Sequence, residues 1–335
     1  MKKAITLVAA LALLLVGCGQ DSPSGPETTQ SAELTVVKVA HLPSTLFAPV
    51  YIALEKGYFA EQGLDVQLEA VKSGQDAIPL LASGKLDALA AGFSAGMFNA
   101  VNEGLEFQIV GSMGVNTGDP DASPTLLLVA SQFSQDGSIT KIEDLRGKKI
   151  AAAGGPGSTG GFLVASILAT AGLTLNDVEI VNISTPDMPN ALANGAVDAA
   201  LASAPTSGRI VADGTGVILG VPAKGVGSTG LMYGPEFAKS DNAQKFFNAV
   251  VKGSADLQDG GILKDENLAI LAKVTGQEVD AIKALPQYQF DPKLAPQVET
   301  IQQMESVWMS VGLITYTEPL DMAKLVNETF YQNAK

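Results

Sequence analysis

Short strand-like segments alternate with helix-like segments along this chain, and the order restarts once. Leu34 to His41 is short and rich in β-branched residues, and the helix-like segment that follows ends at Gly57. The same strand-then-helix order begins again at Lys149. Strands that alternate with helices form parallel sheets with helices on their faces. The pattern therefore predicts an α/β protein built from two similar halves.

A repeated spacing of acidic residues and glycines supports two similar halves. The spacing is Asp76-x7-Gly84-x2-Asp87 in the first half and Asp187-x7-Gly195-x2-Asp198 in the second. In each case the first Asp is predicted to cap a helix, the Gly to end it, and the second Asp to lie in the turn before an apolar strand. Such turns recur in any doubly wound fold, so the spacing alone leaves that alternative open. Both interpretations predict two α/β lobes.

Two segments, 125–133 and 230–237, are expected to cross between the halves. Lobe 1 then comprises residues 34–124 and 231–335, and lobe 2 comprises residues 125–230. Ligands of open α/β sheets lie beyond the carboxyl ends of the strands, and clefts between domains are favoured pocket sites. The ligand cleft is therefore expected between the lobes. After Lys239 the pattern predicts a helical C-terminal extension, with helices at 241–256, 262–272, 277–285, 297–310 and 319–332.

The N-terminus has the features of an exported lipoprotein. Two lysines precede an apolar run from Ala4 to Val16, which is interrupted only by Thr6 and is shorter than the about 20 residues that span a bilayer. The run ends in Leu-Val-Gly-Cys, which resembles a bacterial lipobox. This resemblance implies a signal peptide at residues 1–17 and a lipid on Cys18. A free thiol after an ordinary signal peptide is the alternative.

Residues 18–33 are predicted to be a flexible linker. They contain Gln, Asp, Ser, Pro, Gly, Glu and Thr with almost no apolar residue, so they cannot bury enough surface to fold. The protein is therefore expected in the cell envelope, anchored by its lipid on the extracytoplasmic side of a membrane.

Composition limits the partners. Removal of residues 1–17, which hold two lysines and no acid, takes the formal net charge from −14 to −16, and so acidic a protein disfavours nucleic acid. Arg146 and Arg209 are the only arginines, too few for a cluster that binds multiply charged anions. One histidine and one cysteine predict neither a metal cluster nor a cofactor. We expect a monomer.

The chain carries six motifs, at Pro49 to Ala53, Glu55 to Phe59, Glu61 to Leu64, Leu81 to Asp87, Lys141 to Lys149 and Ala191 to Ala199. These motifs resemble the nitrate/sulfonate/taurine-type substrate-binding proteins of ABC importers, including relatives that bind thiamine-pyrimidine precursors. The resemblance covers about residues 34 to 235. It implies a two-lobed type II periplasmic-binding-protein fold and delivery of a solute to an ABC permease.

A glycine-rich loop, Gly154 to Gly161, joins a predicted strand to a helix in lobe 2. Gly157 would allow a ligand to approach the backbone, and Ser158 or Thr159 could donate a hydroxyl, while the helix start suits an anion. A plain helix cap is the alternative, but the position in the family favours ligand contact. Pro205 follows a later strand of lobe 2 and is a further candidate contact.

The first strand of lobe 1 is followed by three candidate ligand contacts, His41, Ser44 and Thr45. Ser44 or Thr45 is expected to cap the next helix. His41 lies at the carboxyl end of the strand, although a lone histidine is more often structural.

The third strand of lobe 1 is followed by Gly92, Phe93 and Ser94, which are also expected at the cleft. Phe93 would form an apolar wall or pack in the core, and Ser94 would donate a hydrogen bond. Tyr233, on the return crossing, could reach the cleft or pack at the hinge. Trp308 is predicted to be a core residue.

Three functions are compatible with these features. The leading one is a binding protein that captures a small organic anion or a heteroaromatic precursor and passes it to a permease. The second is a receptor that presents its ligand to a sensor kinase. The third is an enzyme similar to thiamine-pyrimidine synthases, which use His and Cys residues. Since the mature body has one histidine and no cysteine, the sequence favours a protein that is not an enzyme.

Overall fold

Two five-stranded sheets form the framework of the protein in a computed structural model, which describes residues 34–71 and 73–335. The predicted signal peptide, the linker and Cys18 lie outside the described residues. The strands are β1 Thr35–His41, β2 Leu64–Ala70, β3 Ala88–Gly92, β4 Gln108–Ser112, β5 Thr125–Ala130, β6 Lys149–Ala152, β7 Glu179–Asn182, β8 Ala199–Ser203, β9 Gly216–Gly220 and β10 Thr229–Tyr233.

The two sheets have the same topology. Their strand orders are β2-β1-β3-β10-β4 and β7-β6-β8-β5-β9. In each sheet the first three strands are parallel, and the fourth runs antiparallel to both of its neighbours. The predicted two-lobed α/β fold is confirmed, but the sheets are mixed rather than parallel. Each crossing segment contributes the antiparallel strand, and the first sheet includes Thr229 and Gly230, which the sequence assigned to lobe 2.

The second Asp of the repeated spacing has the same role in both lobes. The Asp87 carboxylate accepts a hydrogen bond from the Lys38 backbone N–H at 2.8 Å. The Asp198 carboxylate accepts one from the Lys149 backbone N–H at 2.7 Å. The second Asp of the spacing therefore ties the start of β3 to β1 in lobe 1 and the start of β8 to β6 in lobe 2.

The first Asp of the spacing does not cap a helix as predicted. Ser73 is the residue before the helix, and its hydroxyl accepts from the Gln75 N–H, so Asp76 lies in the first turn instead. In lobe 2 the Asp187 carboxylate accepts from the Ser184 hydroxyl rather than from a helix N–H. In lobe 1 the nearby Ser73 caps the helix in place of Asp76, and in lobe 2 the nearby Ser184 is the hydrogen-bond donor to Asp187.

Helices cover the faces of both sheets and form the C-terminal extension. Within the described residues, no helix combines the length and the hydrophobicity needed to cross a bilayer. The helices are α1 Ala48–Glu55, α2 Tyr58–Glu61, α3 Gly74–Ala82, α4 Ala95–Asn102, α5 Ser131–Gln135, α6 Thr159–Ala169, α7 Met188–Ala193, α8 Thr206–Ala212, α9 Pro235–Ala238, α10 Asp241–Ala255, α11 Asp265–Thr275, α12 Val279–Lys283, α13 Val298–Ser310, α14 Met322–Leu325 and α15 Thr329–Gln332.

The prediction of one helix over residues 319–332 was wrong. Two short helices, α14 and α15, flank Val326, whose backbone is extended. Val326 forms a β-bridge with Ile109, and the next N–H, of Asn327, donates to the Ile109 carbonyl at 2.9 Å. Pairing with the edge strand β4 therefore interrupts the helix and covers part of that edge.

Lobe 1 has its own apolar core, in which α1 crosses α10 at close range. Tyr51, Phe246 and Phe247 are fully buried there. Gly253 of α10 allows the close approach, because a Cβ atom at this position would lie 2.2 Å from the Pro49 carbonyl oxygen. The Pro49 oxygen is a backbone atom, and it cannot make room by a change of rotamer as a flexible side chain can.

We predict that Gly253→Ala destabilises the protein, although alanine favours helices by up to about 1 kcal/mol. Overpacking against a fixed backbone atom costs about 1–3 kcal/mol, so the net free energy of unfolding should fall. Gly208→Ala in α8 is the matched control, since its Cβ would meet only the end of the Leu285 side chain, at 3.1 Å. Urea unfolding of the two variants checks this; equal midpoints would contradict the close crossing.

Candidate functional site

A cleft of about 580 Å³ lies between the two sheets. Its walls are the segments that follow β1, β3 and β4 in lobe 1 and β6, β7 and β8 in lobe 2, together with the starts of β5 and β10. These positions are the carboxyl ends of the parallel strands, where open α/β sheets bind ligands. The volume lies in the range of small-molecule pockets, about 300–1,000 Å³.

The loop after β1 forms one wall, as predicted for Ser44 and Thr45. Both residues line the cleft. The Ser44 hydroxyl also accepts a hydrogen bond from the Leu46 N–H at 3.3 Å and caps the short 3₁₀ helix Thr45–Phe47. The cap fixes the loop, so this wall of the cleft is held in place before any solute arrives.

His41 lies behind this wall rather than on it. The side chain is 5% exposed and does not line the cleft. Its Nδ1 is 2.9 Å from the Tyr51 hydroxyl, which donates to the Leu42 carbonyl at 2.9 Å. Because Tyr51 gives its only hydroxyl proton to Leu42, the His41 Nδ1 must be the donor to the Tyr51 oxygen. The neutral imidazole therefore carries its proton on Nδ1. Burial lowers the pKa of His41. The prediction of ligand contact is corrected: His41 supports the loop.

The three candidates after β3 take different positions. Gly92 lines the cleft, and a Cβ atom there would lie 2.3 Å from the Thr159 hydroxyl. Phe93 points into the apolar core, and the Ser94 hydroxyl caps α4 by accepting from the Met97 N–H at 3.3 Å. Phe93 and Ser94 therefore do not line the cleft, since each has a structural partner.

The glycine-rich loop of lobe 2 joins the lobes more than it faces the cleft. The Gly157 carbonyl accepts from the Ala95 N–H at 2.9 Å, and a Cβ on Gly157 would face Ala95 and Leu313. The Ser158 hydroxyl caps α6 and lies 2.8 Å from the Ala153 carbonyl and 2.7 Å from the Gly155 carbonyl, one of which accepts its proton. The prediction that Gly157 and Ser158 contact the ligand is corrected, because lobe contact and capping occupy them.

Thr159 does line the cleft, and it also links the lobes. Its hydroxyl lies 3.1 Å from the Phe93 carbonyl of lobe 1 and 3.3 Å from the carbonyl of Ser228, the residue just before β10. Pro205, which follows β8, also lines the cleft, and the peptide bond between Ala204 and Pro205 is cis. Thr159 and Pro205 thus reach the cleft as predicted.

Tyr233 does not reach the cleft. It is fully buried at the far end of β10, its hydroxyl donates to the Ala243 carbonyl at 3.2 Å, and its ring packs on Phe237, Phe246 and Phe330. β10 enters its sheet at the cleft with Thr229 and runs away from it, so Tyr233 belongs to the core of lobe 1.

Trp308 is a core residue, as predicted, and it packs between the lobes. Its indole is fully buried, with ring centroids 5.5 Å from Phe98 of α4 and 6.5 Å from Phe162 of α6. The indole N–H donates to the Pro156 carbonyl at 3.1 Å. Helix α13 therefore contacts both lobes beside the cleft.

Sequence reasoning missed a set of polar residues that line the cleft and come from both lobes. The Tyr288 hydroxyl lies 3.1 Å from the Thr125 hydroxyl, which lies 3.3 Å from that of Ser203. Asn116 and Thr229 also line the cleft. The available signal was position: Thr229 begins β10, and Asn116 follows β4, at the edge where the other candidates lie.

The described lining residues include no Lys, Arg, His, Asp or Glu. Tyr288 is ionisable, but burial raises the pKa of its hydroxyl, which stays neutral. No group of three or more His, Cys, Asp or Glu side chains in the described part of the chain is placed to hold a metal ion. Hydroxyls, amides and apolar surface form the cleft.

Comparison of the sequence with known proteins finds a matching family model and relatives that are named as binding proteins. A family model described as NMT1/THI5 like matches residues 44–259. A candidate aliphatic sulfonates-binding protein of Bacillus subtilis (strain 168) is 30% identical over 203 residues, which cover 59% of this chain and 56% of that protein. The formylaminopyrimidine-binding protein of Halalkalibacterium halodurans is 36% identical over 84 residues, or 25% of this chain and 24% of that protein. The chain thus covers little more than half of the first of these relatives.

The fold also matches solved structures. The periplasmic aliphatic sulphonate binding protein SsuA from Escherichia coli superimposes with a TM-score of 0.68 at 18% identity, over 88% of this chain and 92% of that chain. The periplasmic nitrate-binding protein NrtA from Synechocystis PCC 6803 gives a TM-score of 0.68 at 16% identity, over 90% and 88% of the chains. At this identity the match establishes the fold alone.

We predict that His41 makes stability depend on pH. Its folded pKa is lowered, so the unfolded chain binds a proton more readily and the free energy of unfolding should fall as the pH drops below about 6.5. His41→Gln should remove this part of the loss while the carboxylates contribute equally in both proteins. Urea unfolding at pH 7.5 and 5.5 measures it. An unchanged pH dependence in the variant would contradict a buried, neutral His41.

Proposed function

Because the chain belongs to the NMT1/THI5-like family, we propose that it is a solute-binding protein of an ABC-type importer. The cleft between the two sheets captures a small organic anion or a heteroaromatic precursor, and the loaded protein delivers it to the permease. The observation that carries this proposal is the cleft itself, which has the volume of a small-molecule site and walls from both lobes.

The named ligands of the relatives support this range of solutes. One relative is named for aliphatic sulfonates and another for formylaminopyrimidine. Both are small molecules, and a cleft of about 580 Å³ accommodates either.

The proposal includes an extracytoplasmic location. A signal peptide at residues 1–17 would direct export, a lipid on Cys18 would anchor the protein to the membrane, and residues 18–33 would let the lobes reach the permease. A folded body that is strongly acidic would stay off an anionic membrane surface and bind its permease as a monomer.

Binding is favoured over catalysis by the chemistry of the lining. His41, the single histidine of the chain, is occupied by Tyr51 behind the wall, and none of the described lining residues is a Lys, Arg, His, Asp, Glu or Cys. A general acid or base must be within hydrogen-bond reach of the reacting atom. Import and presentation to a sensor kinase begin with the same capture step, and we propose import on the strength of the family.

We predict that Ser203→Phe abolishes solute binding. Ser203 lines the cleft at the end of β8, and a phenyl ring there would fill the space. A thermal-shift screen of alkanesulfonates and aminopyrimidines should give at least one compound that stabilises the native protein. At a hundred times the dissociation constant the gain is about 2.7 kcal/mol, or several degrees.

Ser306→Phe, on the exposed face of α13, is the matched control and should keep the response. If Ser203→Phe responds like the native protein, the solute binds elsewhere. If no compound stabilises the native protein, solute capture of these classes is wrong.

We predict that Cys18 carries the membrane anchor. Bacterial cells that express the full chain and are fed labelled palmitate should label the native protein, and Cys18→Ser should lose both the label and membrane retention. The reason is that the thioether to the lipid forms on the Cys18 sulfur, which serine lacks. Equal retention of the two proteins in the membrane fraction would refute the anchor.

A further inference from the structure

A segment of the C-terminal extension, residues 277–289, forms a third wall of the cleft. Two of its residues, Gln277 and Tyr288, line the cleft together with residues of both lobes. Between these two residues lie the short helix α12 and the turn that follows it. This segment is called the strap below, and its contacts with the two lobes are unequal.

The strap is held firmly to lobe 1. The Val115 N–H donates to the Gln289 carbonyl at 2.9 Å, and the Gln289 N–H donates to the Val115 carbonyl at 3.1 Å. Ile282 of α12 is 2% exposed and belongs to the apolar core of lobe 1. The Gln287 side-chain amide donates to the Ile282 carbonyl at 2.7 Å and braces the turn after α12. Backbone pairing and core burial therefore make the strap part of lobe 1.

Leu285 and Tyr288 bring the strap into contact with lobe 2. A Cβ atom on Gly208, in α8, would lie 3.1 Å from the end of the Leu285 side chain. The Tyr288 ring packs in the core of lobe 1, while its hydroxyl lies 3.1 Å from the hydroxyl of Thr125, where β5 begins. Both contacts with lobe 2 are made by strap side chains and not by its backbone.

This difference decides which contacts separate when two-lobed proteins open about a hinge. Removing the strap from lobe 1 would expose Ile282 and break a pair of backbone hydrogen bonds. Removing it from lobe 2 breaks one hydroxyl contact and one apolar contact, and the Thr125 hydroxyl keeps the Ser203 hydroxyl, 3.3 Å away, as a partner. Movement of lobe 2 would therefore leave the strap on lobe 1 and release Leu285 and Tyr288.

We propose that the strap is a closing wall of the cleft, which moves with lobe 1 and is held against lobe 2 by Leu285 and Tyr288 when the cleft is shut. The proposal rests on the proposed function and deepens it. If the solute binds the closed arrangement, its apparent affinity falls with the closed population. Residues of the C-terminal extension that do not line the cleft, such as Leu285, then control the affinity.

The first test needs no solute. Gly208→Phe should push Leu285 and the strap away from lobe 2, so the radius of gyration of the solute-free protein in small-angle X-ray scattering should rise. Adding Leu285→Ala to this variant should make room for the ring and restore the native radius. Adding Leu263→Ala instead is the matched control, because this leucine of the same extension is 43% exposed, and it should restore nothing. A native radius in Gly208→Phe, or equal rescue by the two alanines, would overturn the proposal.

The second test removes a single oxygen atom. Tyr288→Phe should keep the urea midpoint near the native value, because the ring stays in the lobe 1 core, and should raise the open population about fivefold. Trp308, the single tryptophan, would then lose its contact with Phe162 of lobe 2 more often, and its quenching by acrylamide should increase. Tyr233→Phe is the matched control, since its hydroxyl bonds to the Ala243 carbonyl within lobe 1. Native quenching in Tyr288→Phe, or an equal increase in both variants, would contradict the closing role.

The third test separates the strap from solute capture. The probe is the alkanesulfonate or aminopyrimidine that raises the melting temperature of the native protein most. Gly208→Phe should bind it about fivefold more weakly in calorimetry, and adding Leu285→Ala should restore the affinity, although neither residue lines the cleft. Native affinity in Gly208→Phe would overturn the strap and leave solute capture standing. If no such compound binds the native protein, solute capture fails, and scattering and quenching still decide the strap.

Discussion

Each sheet is completed by a strand that reaches it directly from the other lobe, and the rest of the structure depends on this exchange. β5 enters the second sheet when the chain leaves lobe 1, and β10 enters the first sheet when the chain returns. Both strands lie between parallel strands and their last neighbour, so neither sheet is complete without its crossing. The crossings also bring the carboxyl edges of the two sheets face to face, which is why the cleft lies there.

Contacts beside the cleft also hold the carboxyl edges of the two sheets in fixed positions relative to each other. Trp308 packs on an aromatic ring from each lobe, and the Thr159 hydroxyl lies 3.1 Å from the Phe93 carbonyl of lobe 1. Aromatic pairs of this kind contribute about 0.5–1.5 kcal/mol beyond the area that they bury. A loop that looks like an anion site in the sequence, Gly154 to Gly161, therefore serves mainly to join the lobes.

The sequence was sufficient for the fold and for part of the cleft. The alternation of elements and the spacing that ends at Asp87 and Asp198 predicted two similar lobes, and the residues after parallel strands, such as Thr45 and Thr159, reached the cleft. It failed where a polar side chain had a local partner, as with Ser158, which caps its own helix. It also missed Tyr288, which reaches the cleft although it lies in the helical C-terminal extension, 163 positions from its partner Thr125.

A crystal structure of the protein with a bound solute tests the central claim most directly, namely that the solute lies in the cleft between the two sheets. The expected result is electron density between the loop after β1 and the end of β8, in contact with residues of both lobes such as Thr45 and Ser203. Density instead in the surface pocket near Glu106 and Lys239, at the far end of β4 and β10, would contradict it. In that case the crossing strands would explain the fold but not the function.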